Sequence, residues 1–204
     1  MINLNKAIKQ LKELKKLGKN LDLAAENWNQ DWQTLIATML SARTRDDVTI
    51  PVANKLFKKY KTVKALAKAS IKEIEKSIYS VNFYRNKARN VSNCAKMLDK
   101  LYKGKVPHDF NKLIQLPGVG RKTANVFLAE SGKQAIGVDT HVHYVSKYLG
   151  WTKQKNPHKA EEDLKKLFPK RIWRSINYIL VKFGRSYQSK KKKNEILDEI
   201  KKIK

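Results

Sequence analysis

The chain has 204 residues, 41% of them hydrophobic, which is enough to bury a core and excludes a disordered polypeptide. Its 45 Lys and Arg stand against 18 Asp and Glu, a formal charge of +27 that exceeds what solubility asks of a small domain and makes a polyanion, nucleic acid first, the leading partner class. A lysine-rich proteome, with Asn, Ile and Tyr also frequent, is the other source of such an excess. Cys94 is the only cysteine, which excludes an internal disulfide and any Cys-rich zinc or iron–sulfur site within the chain. No run of about 18 apolar residues exists, and residues 1–20 read as a lysine-studded amphipathic helix rather than a signal peptide, so a soluble, intracellular protein is expected.

Apolar residues recur at three and four, as in Leu4, Ile8, Leu11 and Leu14, and strict alternation is almost absent, so the fold class is all-α. The pattern predicts helices over 3–17, 31–43, 46–59, 63–69, 71–79 and 84–103, then 110–115, 120–131, 140–150, 158–168, 171–185 and 193–202. Ser70 with Glu73 forms a capping box, Gly104 to Pro107 reads as a turn, and Asn156 before Pro157 opens a helix. Lys190 to Lys193 is a pure basic run of the kind that is ordinarily just solvated. Beyond it Ile196, Leu197, Ile200 and Ile203 give the last segment an apolar stripe suited to docking on the body.

Residues Leu113 to Glu130 read LIQLPGVGRKTANVFLAE: an apolar helix end, a Pro-Gly-Val-Gly turn, and a second helix opening with Arg121 and Lys122. This is a helix-hairpin-helix. Gly118 and Gly120, lacking Cβ atoms, allow a tight turn and close approach, and the amides around Gly118, Val119, Gly120 and Arg121 can face one DNA phosphate without reading sequence. The bland alternative is a mere tight helical connection.

LPGVGRKTA from Leu116 to Ala124 is followed by VDTH from Val138 to His141. With this pairing the chain resembles the endonuclease III branch of the helix-hairpin-helix DNA glycosylases, and the likeness extends to LSARTRD at Leu40–Asp46, FYRNKA at Phe83–Ala88 and FGR at Phe183–Arg185. The resemblance makes Lys122 the nucleophile that attacks the sugar C1′ of a damaged nucleotide and forms an imine from which the 3′ phosphate is eliminated. Lys122 also sits in a first helical turn beside Arg121, where the helix dipole and a like charge both disfavour the ammonium form. A simple phosphate contact is its alternative role. Asp139 matches the family's catalytic carboxylate, which stabilises the cationic sugar and helps move the lysine's proton, and it is equally placed to cap the helix after it.

A base must leave the duplex before it is attacked, and something must fill the gap. Phe83 falls where the family carries an apolar wedge, and Arg43 where many relatives carry a Gln that enters from the other side. Core packing is the alternative for Phe83 and a phosphate contact for Arg43. Asp46 is expected near the flipped-base pocket, with helix capping as its other reading, and His141 could line the groove. His141 with His143 is no metal site, because two His without further ligands are usually polar packing residues.

Relatives bind a [4Fe-4S] cluster through a C-x6-C-x2-C-x5-C pattern shortly after the FGR-like segment. Here Gln188 takes the first cysteine position and Glu195, Asp198 and Lys204 fall near the others, so no cluster, no other cofactor and no metal is expected. Lys190 to Lys193 are expected to replace the basic loop that the cluster supports, with Lys190 and Lys191 as DNA contacts, and the terminal apolar stripe is expected to supply the missing packing. Tyr144 and Asn82 also depart from the family's usual Arg and Gly.

The resemblance implies two lobes: a six-helix barrel over 23–134 with the hairpin at about 110–131, and a second lobe from 1–22 and 135–204 with a basic tail, Lys122 and Asp139 lying on opposite walls of a groove between them. The expected function is excision of oxidised pyrimidines from duplex DNA followed by strand cleavage at the abasic site. Its partner is double-stranded DNA with a damaged base or abasic site, and the protein is expected to be a monomer in the cytoplasm or nucleoid of a prokaryote. Alternatives are a glycosylase for 8-oxoguanine or mismatched bases, a protein acting chiefly as an abasic-site lyase, and a non-catalytic helix-hairpin-helix DNA-binding module.

Overall fold

Most helices of the chain begin at a residue that can take up one of the amide N–H groups left open at a helix start. Asn3, Thr62, Ser70, Asp109, Asn156 and Ser189 each accept a backbone hydrogen bond from the first turn that follows. The computed structural model describes residues 2–204, and all regular structure among them is helical. In chain order the helices are α1 (Leu4–Leu17), α2 (Asp31–Ser41), α3 (Asp46–Lys59), α4 (Val63–Lys68), α5 (Ile71–Ile78), α6 (Tyr84–Tyr102) and α7 (Phe110–Leu113). They continue with α8 (Arg121–Glu130), α9 (Thr140–Tyr148), α10 (Pro157–Leu167), α11 (Trp173–Ser186) and α12 (Lys190–Lys202), with one 3-10 turn at Lys170–Ile172. None of those described is long and apolar enough to cross a membrane.

The chain divides into two compact units, Asp22–Ser131 and a second formed by Met1–Leu21 with Gly132–Lys204. In the first, α2 packs against α3, α6 and α8, and the long α6 lies along α4 and α5. Trp28 and Trp32 meet Phe57 edge to face at 4.9 and 5.0 Å between ring centroids, which closes one end of this core. In the second unit α11 is central, with α1 and α9 against it. Trp151 packs edge-on against Phe168, and its indole N–H donates to the buried Gln10 side chain at 2.8 Å.

Two helix limits differ from the apolar pattern. The helix expected over 31–43 stops at Ser41, because Arg43 has φ 56°, a left-handed conformation that no α-helix continues through. The helix expected from 193 starts at Lys190, because the Ser189 side chain caps it and draws the lysine run into its first turn.

Cys94 lies in α6 with no solvent exposure, and burial pushes its thiol up to about 12. The native protein is therefore expected to release no thiol to a disulfide reagent at pH 8, and one equivalent after denaturation. A thiol titration in buffer and in guanidinium checks this, and rapid native reaction would contradict the burial.

Candidate active site and nucleic-acid interface

The hairpin begins where α7 ends. The Val119 amide donates to the Leu116 carbonyl at 3.0 Å, closing the turn, and both side chains are buried. Val119 can therefore meet a ligand only through its backbone. Gly118 has φ +79°, and a Cβ there would lie 2.7 Å from the Asn90 Cβ and 2.9 Å from the Met39 Cε, so conformation and space both demand glycine. Gly120 differs from the expectation that both glycines serve the bend. Its φ is −90° and ψ 174°, open to any residue, and no atom lies within 4 Å of where its Cβ would be. Its contribution is open space at the N-cap of α8, a helix start with no side-chain cap and no acidic residue in its first turn. Arg121 lies over the Phe110 ring at 5.1 Å, and the half-buried Lys122 is the second residue of the helix.

Arg43 and Phe83 come together on the same unit. The Arg43 guanidinium stands 4.9 Å from the Phe83 ring centroid, and both residues adopt left-handed backbones, φ 56° and 59°. Phe83 is 55% exposed, which removes the core-packing alternative. Asp46 is the first residue of α3 and buried, with Arg45 rather than Asp46 in the N-cap position.

On the other unit Asp139 caps α9: its Oδ1 accepts from the Val142 amide at 2.8 Å. The extended approach to it is held by Ala135, Ile136 and Val138, all buried, and by Asn177 of α11, whose side chain donates to the Gly137 carbonyl at 2.6 Å. His141 rests on Gly184 of α11, where a Cβ would fall 2.5 Å from the imidazole Nδ1. Burial lowers the His141 pKa below its ordinary 6.5, Asp139 opposes the fall and Lys193 adds to it, so the ring is neutral at pH 7. His143 bonds the Gln154 carbonyl through Nε2 at 2.8 Å, a packing role.

The last helix is fastened to this unit by both chemistries available to it. Leu197 and Ile200 are buried, the Gln10 amide donates to the Ile200 carbonyl at 3.2 Å, and Tyr148 donates to Asp198 at 2.8 Å while Tyr144 donates to Asn194. Lys190 and Lys191 are exposed at its N-terminal end. Among the described residues no three His, Cys, Asp or Glu side chains are grouped as metal ligands would be.

Sequence reasoning gave no role to Asn177, Gly184 or Lys87, whose Nζ donates to the Leu40 and Ala42 carbonyls. Their partners lie about 40 residues away, beyond any local signal; only the presence of Gly184 and Lys87 inside the FGR and FYRNKA motifs pointed towards them. For Gly118→Ala the positive φ and the overlap with Asn90 together are expected to cost at least roughly 2 kcal/mol. A melting curve should then fall by about 4–8 °C; an unchanged midpoint would mean that the turn relaxes freely.

The family model for HhH-GPD superfamily base excision DNA repair proteins matches residues 36–170, a span that holds the hairpin, Lys122 and Asp139. Endonuclease III of Thermotoga maritima is 44% identical over 155 residues, 76% of this chain and 73% of that protein. The endonuclease III of Bacillus subtilis is 40% identical over 156 residues, 76% of this chain and 71% of its own length. Among solved structures, a trapped endonuclease III–DNA covalent intermediate superposes with a TM-score of 0.85 at 36% identity, covering 93% of this chain and 91% of that one. With a matched family span of this extent and relatives at this identity, the chain belongs to the HhH-GPD superfamily of base excision DNA repair proteins, on its endonuclease III branch.

Proposed function

We propose that the protein removes oxidised pyrimidines from duplex DNA and then cleaves the strand at the resulting abasic site, acting as a monomer on DNA in the cytoplasm and nucleoid of a prokaryote. The observation that carries this reading is a lysine, Lys122, in the first turn of the hairpin's second helix, in a chain 36% identical to an endonuclease III trapped covalently on DNA. In this reading the Lys122 amine attacks the sugar C1′, the bond from C1′ to the base nitrogen breaks, and the base departs with the electron pair and a proton. The ring opens to an imine between Nζ and C1′. Loss of a C2′ proton then expels the 3′ phosphate, and water releases the lysine.

Asp139 stabilises the cationic sugar as the base leaves and takes the proton from the lysine. Capping occupies its Oδ1, which fixes the carboxylate's direction and leaves Oδ2 for this work. The amides of Gly118, Gly120 and Arg121 hold a phosphate at the uncapped start of α8, and Val119, whose own amide is spent on the Leu116 carbonyl, holds the turn that presents them. Arg43 and Phe83 fill the gap left by the extruded base, and Asp46 and His141 line its pocket, His141 as a neutral hydrogen-bonding ring.

Lys190 and Lys191 contact the DNA backbone. Four lysines in the first turn of a helix oppose its own dipole, an arrangement that stabilises nothing in the free protein and gains from a phosphate. The endonuclease III family implies a [4Fe-4S] cluster in this region, and the residues do not fit one. Its thiolates would come from a segment holding Gln188, Glu195, Asp198 and Lys204, and the chain's one cysteine, Cys94, is buried in α6 of the other unit. The protein therefore works without the cluster, its last helix anchored by Leu197, Ile200 and the tyrosine contacts instead.

Borohydride should trap the wild type on duplexes bearing thymine glycol or an abasic site, and Lys122→Ala should abolish both adducts. Trapping at the abasic site alone would leave a lyase with another base preference, tested by 8-oxoguanine and mismatched duplexes. Tight, salt-sensitive binding with no adduct would favour a binding module. Lys190→Ala with Lys191→Ala should reduce the slope of log K against log salt by about 0.9 per lost phosphate contact. Iron and sulfide in the purified protein, with a broad visible absorbance band, would refute the cluster-free reading.

A further inference from the structure

Lys87 is buried, 8% exposed as a residue, and the three hydrogens of its ammonium are all used. They go to the Leu40 carbonyl at 2.6 Å, the Ala42 carbonyl at 2.7 Å and the Thr44 hydroxyl at 2.9 Å. All three acceptors are neutral oxygens. The negative ends of the α2 carbonyls stand in for a counter-charge, and burial still pulls the Lys87 pKa down to about 8. A buried cation held this way costs more than an apolar side chain of the same length, so filling space does not account for it.

Of its acceptors, Leu40 lies in the last turn of α2 and Ala42 and Thr44 flank Arg43 in the loop that follows, while Lys87 itself stands one helical turn after Phe83. Asn82 adds two bonds across the same gap: its side chain donates to the Arg43 carbonyl at 2.6 Å, and its backbone amide donates to the Thr44 hydroxyl at 3.1 Å. Residues 42, 43 and 44 are thus each tied to the 82–87 segment. Beside these bonds sit two of the four non-glycine residues with left-handed backbones among the described residues, Arg43 and Phe83, the cation against the exposed ring. Strained conformations persist only where surrounding bonds over-determine them, and here Lys87 and Asn82 supply those bonds.

We propose that Lys87 is a positioning residue that locks the Arg43 loop to the Phe83 loop, so that the two side chains form one wedge set before DNA arrives. It touches neither substrate nor reacting atoms. This inference rests on the reading of the chain as a base-extruding glycosylase. The wedge matters when a paired base must be driven out of the stack and much less when the base is already missing, because extrusion of an abasic nucleotide costs least.

The test compares single-turnover excision of thymine glycol with borohydride trapping at an abasic site, in identical duplexes, for the wild type, Lys87→Met, Asn82→Ala and Thr44→Val. Lys87→Met keeps the length of the chain and loses the three donors. It is expected to slow thymine glycol excision roughly 10- to 100-fold, the scale of an ångström-sized misplacement, and to leave abasic trapping within about threefold. Asn82→Ala and Thr44→Val should show the same split at smaller size, and they decide the matter should Lys87→Met melt below the assay temperature. Equal losses on both substrates, or none on either, would overturn the positioning role. A wild type that traps at abasic sites and excises no thymine glycol overturns the lesion preference instead, and the comparison then moves to the base that it does excise.

Discussion

The helix α2 has no side turned to water. From Trp32 to Leu40 only Gln33 escapes full burial, and a helix buried all round must be covered all round, which α3, α6 and α8 do. Two functional features take their position from it. Its Met39 presses against Gly118, so the hairpin cannot shift without disturbing a close-packed interior. The carbonyls of Leu40, in its last turn, and of Ala42, its C-cap, are the acceptors of Lys87, so the Arg43 loop leaves the core in one direction. The hairpin turn and the Arg43 loop, about 75 residues apart in the chain, are thereby referred to one rigid element.

Charge follows a separate logic. The excess of cations is spread over the whole chain, and most lysines in last turns, such as Lys15 and Lys16 of α1, Lys58 and Lys59 of α3 and Lys201 and Lys202 of α12, complement their helix dipoles. These explain themselves without DNA. Other cations oppose the dipole of their helix from its first turn: Lys6 of α1, Lys64 of α4, Lys72 of α5, Arg85 of α6, Lys159 of α10, Arg121 and Lys122 of α8 and, as an unbroken run, Lys190 to Lys193 of α12.

What was legible in the sequence was whatever depends on neighbours in the chain. The all-helical class, the Ser70–Glu73 box, the Asn156–Pro157 start and the tight turn at Gly118 are written within a few residues of themselves, and the structure has each of them. The end of α2 was misread because its cause is remote: the Arg43 loop is captured by Asn82 and Lys87, about 40 residues on, and no periodicity announces that. Gly120 was misread for another reason, since a glycine kept for space looks the same in sequence as one kept for conformation. Gly184 is of the first kind too, its partner being the ring of His141.

The C-terminal helix is held by packing and polar contacts rather than by any one strong bond. Each contact of α12 is weak, and there are many. Two buried aliphatic side chains supply area, while Gln10 and the two tyrosines supply direction by bonding a carbonyl and two polar side chains about one and two turns apart. Tyr144 and Tyr148 project from α9, the helix that Asp139 caps, so α12 is registered against the same helix that orients the carboxylate. The register also sets Lys193 close enough to act on His141, which ties the charge at the start of α12 to the state of the imidazole beside Asp139.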